Sequence, residues 1–157
     1  MPDAAAGTGG DGRSLPHTGA YQAELGYEIL RLPDGRPAAR LEVAERHLNQ
    51  FAIAHGGVAL ALLDVGGGLA VWDLRPGLAR MATVSMNTAF LDAVRPGTVY
   101  ALGRVERAGG TLAYTQMTLH AETPDGPLLA SAQGVYRLFP ERPAAAPPGT
   151  AAAAESR

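Results

Sequence analysis

Apolar and polar residues alternate over Gly26–Leu32 (GYEILRL) and again over Arg36–Ala44, with Pro33-Asp34-Gly35 between them. That period of two, broken by turn-forming residues, predicts a β-hairpin. The following stretch, HLNQFAIAHGG, has no clean period and reads as a loop or short turn. Val58–Trp72 (VALALLDVGGGLAVW) is apolar on every side and carries a single charge, Asp64. It is too short for a membrane span. Gly66, Gly67 and Gly68 speak against a helix at about 1 kcal/mol each relative to Ala. The pattern still predicts one, because glycine is kept where a neighbouring backbone packs very close. Such a helix would be buried all round, and Pro76 in Leu74–Gly77 would stop it. Four alternating segments follow, at 80–91, 98–107, 111–122 and 128–138, each bounded by Gly- or Pro-rich turns. Their spacing predicts an antiparallel meander. The class is therefore α+β, with an antiparallel sheet curled around one central helix over residues 20–139. Residues 1–19 and the Ala/Pro-rich 140–157 have little to bury and are expected to be disordered extensions.

Composition narrows the chemistry. The 157 residues, 46% of them hydrophobic, supply one real core. A formal net charge of -2 argues against a nucleic-acid or anionic-membrane partner. The chain has no cysteine, which excludes disulfides, thiolate metal sites and a cysteine nucleophile. All thirteen basic residues are Arg, so lysine Schiff-base and P-loop chemistry are excluded too. No charged-then-apolar leader pattern begins the chain, which leads us to expect a cytoplasmic protein.

Asp64 is the strongest chemical signal. A carboxylate in an apolar helix costs several kcal/mol unless partnered. The residues three and four positions away are Leu60, Ala61, Gly67 and Gly68, none of them a cation. The side chain either emerges at a gap in the sheet, bonds a backbone amide, or carries chemistry. His55-Gly56-Gly57 stands where the helix should begin. The glycines there either permit a turn or open the helix N-terminal N–H groups to a polarised oxygen. His55 and Asp64 are about 13.5 Å apart along a helix and about half a turn apart in azimuth. If both are catalytic, the site should combine His55 and Asn49 of one chain with Asp64 of another. Arg104 and Arg107 flank a Gly-Gly turn and either meet ligand phosphates or are solvated strand-end charges. His120 reads as structural, and no metal-ligand spacing, G-x-S-x-G elbow or dinucleotide fingerprint occurs.

Asn49, then five residues, His55-Gly56-Gly57, then six residues and Asp64, resembles the hotdog-fold acyl-CoA thioesterases, in particular the phenylacetate-pathway (PaaI-like) branch. Thr83–Asn87, Phe90-Leu91, Arg95-Pro96-Gly97 and Gly103–Thr111 extend the likeness across 41–137. The resemblance implies a hotdog fold, a long helix wrapped by an antiparallel sheet, assembled as a homodimer or homotetramer with sites between subunits. It implies that Asp64 is nucleophile or general base for water and that the Gly57 N–H polarises the thioester carbonyl. Asn49 would place thioester or water, His55 would support that loop, and Thr83 would orient the water. Acyl-CoA is the implied substrate, with Arg104, Arg107, Gly110 and Thr111 the candidate CoA-binding set. No cofactor or metal is expected. Val58, Leu62, Trp72, Met81 and Phe90 are the expected pocket lining, which would suit an aromatic or medium-length acyl group. A hotdog protein that only binds acyl-CoA is the alternative; it could dispense with the carboxylate that this chain has.

Overall fold

Gly26 has φ 82° and closes the short helix α1 (Ala20–Leu25) with an αL residue, as glycine does without strain. The computed structural model describes residues 19–140, and the expected terminal extensions lie otherwise outside the described residues. The predicted hairpin follows: β1 (Glu28–Arg31) pairs antiparallel with β2 (Pro37–Val43). After it come a 3-10 turn (Glu45–His47), the helix α2 (Gly56–Leu74), and strands β3 (Leu78–Phe90), β4 (Gly97–Ala108), β5 (Leu112–Ala121) and β6 (Leu128–Pro140).

All strands lie in one antiparallel sheet of order β1-β2-β4-β5-β6-β3. The expected meander holds for β4-β5-β6 and fails for β3. That strand does not pair with β4; it lies at the far edge beside β6. The linker 91–96 makes the return possible. Leu91 and Asp92 N–H both donate to the Leu129 carbonyl, and the Ala54 N–H donates to the Val94 carbonyl. The segment thus crosses the sheet end, tied first to β6 and then to the loop before α2. Six extended residues reach about 20 Å, enough for the roughly 14 Å that separates strands three places apart. Arg95-Pro96-Gly97 ends a crossover and does not make a hairpin.

Val58, Ala59, Leu62, Leu63, Gly66, Gly67, Leu69 and Val71 are the buried residues of α2, and they pack with the inner sheet residues Leu41, Val99, Ala101, Met117, Leu119 and Tyr136. The helix is not buried all round as expected: Leu60, Ala61, Asp64, Val65, Gly68 and Trp72 remain half-buried. Six strands curl over one side of the helix and leave the other partly open. The glycines let α2 settle onto the sheet. A Cβ on Gly103 of β4 would strike the Gly66 carbonyl oxygen, so helix and strand meet backbone to backbone there.

Candidate active site

Asp64 lies in the third turn of α2, and its partners come from the far edge of the sheet. Thr83 Oγ1 donates to Asp64 Oδ1 at 2.8 Å. Tyr136 Oη lies 3.1 Å from the same oxygen and 2.8 Å from the Asp64 carbonyl. Thr83 and Tyr136 are opposite partners across β3 and β6, so both side chains leave the same face of the sheet, toward α2. A register shift between Thr83 and Ser85 follows at once, the kind of irregularity that re-aims an edge strand beside a site. Asp64 has no cationic partner among the described residues; hydroxyls hold it.

Burial pushes the Tyr136 phenol far above its ordinary range, and the Asp64 charge and hydrogen bond add to this; Thr115 and the Gly68 N–H act the other way. Tyr27 is raised as well, by burial first, then by Tyr21 and by Asp64. Both phenols are thereby kept neutral, and Tyr136 serves as a donor to the carboxylate.

The helix N-terminus forms a second group. His55 is the N-cap of α2, and its Nδ1 accepts the Gly57 N–H at 3.0 Å. The N–H expected to face a carbonyl therefore already has an acceptor, which an incoming oxygen must replace. Phe90 covers the neighbouring glycine: a Cβ on Gly56 would lie 3.5 Å from its ring. Asn49 Oδ1 accepts the Phe51 N–H at 2.8 Å, and the Asn49 N–H donates to Ile53, so its side chain folds into its own loop. The structure brings Thr83 to Asp64; it does not bring Asn49, His55 or Gly57 to Asp64 within one chain.

The expected CoA set is spread. Arg104 reaches Gln116 Oε1 at 2.9 Å and Glu106 at 2.6 Å, beside a cavity of about 810 Å³ that also involves Arg36 and Asp73. Gly110 lines a different cavity of about 340 Å³ with Arg75 and Leu78. Arg107 and Thr111 are exposed at the same end of β4 and β5. Of the expected pocket lining, Val58 and Leu62 are core residues, because they sit on the sheet-facing side of α2. Met81 lies 3.8 Å from where a Gly68 Cβ would be, Trp72 is half-buried, and Phe90 is 54% exposed. His120 Nδ1 contacts the Gly126 carbonyl at 2.8 Å, a structural role in the β5–β6 turn.

The thioesterase superfamily profile matches residues 51–127, which holds the helix, Asp64 and Thr83. A Halobacterium salinarum protein provisionally named an esterase is 31% identical over 124 residues, 73% of this chain and 82% of that protein. The chain belongs to the thioesterase superfamily. Its fold is the hotdog shared with that superfamily's solved members. A Bacillus halodurans protein solved with CoA superposes with a TM-score of 0.73 at 19% identity, covering 80% of this chain and 82% of that one. The Escherichia coli PaaI protein of the phenylacetic acid degradation operon gives 0.67 at 21% identity, covering 77% and 85%. At these identities the likeness is one of fold. Membership places the chain among hydrolases of thioester bonds. Tyr136 is the site residue the sequence pattern missed. An aromatic in a strand reads as core, and only the β3–β6 pairing puts it opposite Thr83.

Proposed function

We propose that the chain hydrolyses an acyl-CoA thioester to the free acid and CoA, with an aromatic or medium-length acyl group. One observation carries the reading: a carboxylate in the apolar middle of α2, held by two hydroxyls and by no cation among the described residues, beside an open stripe of that helix. Asp64 takes a proton from water as the water oxygen adds to the thioester carbon. The oxyanion rests on helix N-terminal N–H groups, with Gly57 released from His55. The carbon–sulfur bond then breaks, and the proton passes to the departing thiolate. A thioester is already activated, so a carboxylate base with oxyanion donors suffices. Asp64 acting as nucleophile through an anhydride uses the same residues.

The acyl preference is supported by Phe90 at Gly56 and Met81 at Gly68, which give the space between α2 and β3 an apolar wall. The inter-subunit site is supported by the separation of Asn49 and His55 from Asp64, and by the apolar exposure of Phe51, Val84, Phe90 and Leu91 around β3. A second copy would cover that surface and bring its own helix N-terminus.

The test is an acyl-CoA panel with free-thiol detection, run beside Asp64→Ala. Wild type should release thiol, with kcat/KM highest for aromatic or medium-chain substrates. Asp64→Ala should lose at least about 100-fold in kcat. Equal rates would remove Asp64 from the mechanism. A profile peaking at acetyl-CoA would overturn the acyl assignment, and acyl-CoA binding without turnover would mark a binding protein.

A further inference from the structure

Tyr136 is 2% exposed and could be taken for core packing. Its surroundings are more specific than packing requires. The phenol oxygen has three acceptors in reach: the Asp64 carbonyl at 2.8 Å, Asp64 Oδ1 at 3.1 Å and Met117 Sδ at 3.4 Å. The Gly68 N–H also faces it. Oη thus sits beside the carbonyl of residue 64 and the N–H of residue 68, the two ends of one helical hydrogen bond. Gly67 makes that approach possible, because a Cβ there would run into both Tyr136 Oη and Met117 Sδ. The triple glycine and the tyrosine are therefore one arrangement. One phenol proton serves either the helix carbonyl or the carboxylate. When Asp64 is ionised, Oδ1 is the better acceptor; when Asp64 holds a proton, the carbonyl is available at 2.8 Å.

We propose that Tyr136 is a positioning residue for hydrolysis: with Thr83 it occupies Asp64 Oδ1, fixes the carboxylate rotamer and leaves Oδ2 to take the proton from water. Oδ2 has no hydrogen-bond partner among the described residues. The inference rests on the reading of Asp64 as the water-activating group. The phenol never receives that proton; it turns its own O–H between two acceptors as the Asp64 charge appears and disappears. Among the described residues, the groups that face Asp64 are Thr83 from β3, Tyr136 from β6 and Tyr27 from the α1–β1 link, whose neutral phenol feels the Asp64 charge.

The experiment compares Tyr136→Phe, Asp64→Asn and the double variant, each by kcat, KM and pH profile on the best acyl-CoA of the panel. Tyr136→Phe should lower kcat about tenfold to a hundredfold with KM unchanged within about twofold, the size expected for losing a hydrogen bond to a charged group. The acid limb of its kcat/KM profile should move to higher pH, because a donor to the ionised form is gone. In the Asp64→Asn background the same change should cost nothing further. An unchanged kcat and acid limb in Tyr136→Phe, or an equal loss in both backgrounds, overturns the proposal, since a packing role ignores the carboxylate. Asp64→Asn with full turnover overturns the hydrolysis reading and takes Tyr136 with it. An inactive Asp64→Asn beside an unaltered Tyr136→Phe overturns the Tyr136 role alone. Where Tyr136→Phe does not fold, meta-fluorotyrosine is incorporated into a Tyr27→Phe background. Its more acidic phenol is the stronger donor and should move the acid limb to lower pH, and an unmoved limb overturns the proposal.

Discussion

Asp64 and its two hydroxyl partners make the charge state of Tyr136 a matter of stability as well as chemistry. The phenol is held neutral in the folded chain, mainly by burial and then by Asp64. In the unfolded chain it ionises near its ordinary value of 10.0. Its folded value being the higher, the folded state keeps a proton that the unfolded state loses. Stability is then complete below about pH 10 and falls as pH rises above it, by about 1.4 kcal/mol per pH unit for this buried phenol. Tyr27 is shifted in the same direction. The chain has no lysine, so this range is unusually clean, with tyrosines as the side chains that titrate there. Thermal unfolding should show a midpoint that declines above about pH 10 in wild type and declines less steeply in Tyr136→Phe. Parallel curves for the two proteins would show that the phenol is not protected by the fold. At this scale Asp64 was legible because a charge inside an apolar run is conspicuous. Thr83 was legible only through the family resemblance. Tyr136 was not legible: its partner Thr83 lies far off in the chain, and no local pattern separates a tyrosine that packs from one that donates.

The helix α2 shows what three glycines do when their neighbours differ. Gly68 has only Met81 near its absent side chain, at 3.8 and 3.9 Å, which is ordinary contact. Gly67 faces Tyr136 Oη and Met117 Sδ, which a Cβ would displace. Gly68→Ala should therefore gain about 0.5–1 kcal/mol of stability from helix propensity. Gly67→Ala should lose about 1–3 kcal/mol, because overpacking outweighs the same propensity gain. Urea unfolding of the two variants reads the difference, and equal shifts would mean that Tyr136 moves aside at no cost. The sequence pattern gave the helix and all six strands to within a few residues, because turn residues bracket each run. It misplaced β3, since alternation says which face a residue takes and nothing about which strand it pairs with. Adjacent pairing is the default for consecutive strands. Here a helix has carried the chain to the far edge before β3 begins, and the short linker 91–96 brings it back.

A single copy of the chain leaves its chemistry in two places. Thr83 and Tyr136 hold Asp64 at the open flank of α2, while His55 and Gly57 form the start of the same helix and Asn49 folds into the preceding loop. Helical geometry puts His55 and Asp64 about 13.5 Å apart along the axis and about half a turn around it. No side-chain rotation closes that gap on one carbonyl group. The edge strand β3 carries exposed Val84 and Phe90, and Phe51 beside the helix start is 73% exposed. A long apolar edge of this kind invites pairing with a second copy. Under two-fold symmetry each site would take Asp64 from one protomer and Asn49 with His55 from its partner. Asp64→Ala and Asn49→Ala chains should each be inactive alone and should complement each other on subunit exchange. Random exchange makes about half of the dimers mixed. In each mixed dimer one site carries both defects and the other carries neither, so activity should return to about a quarter of the wild-type rate. Thiol release from the mixture, with exchange verified by mass-tagged subunits, measures it. No recovery after complete exchange would mean that each site is built within one chain, and the placement of Asn49 and His55 opposite a neighbour's Asp64 would be wrong.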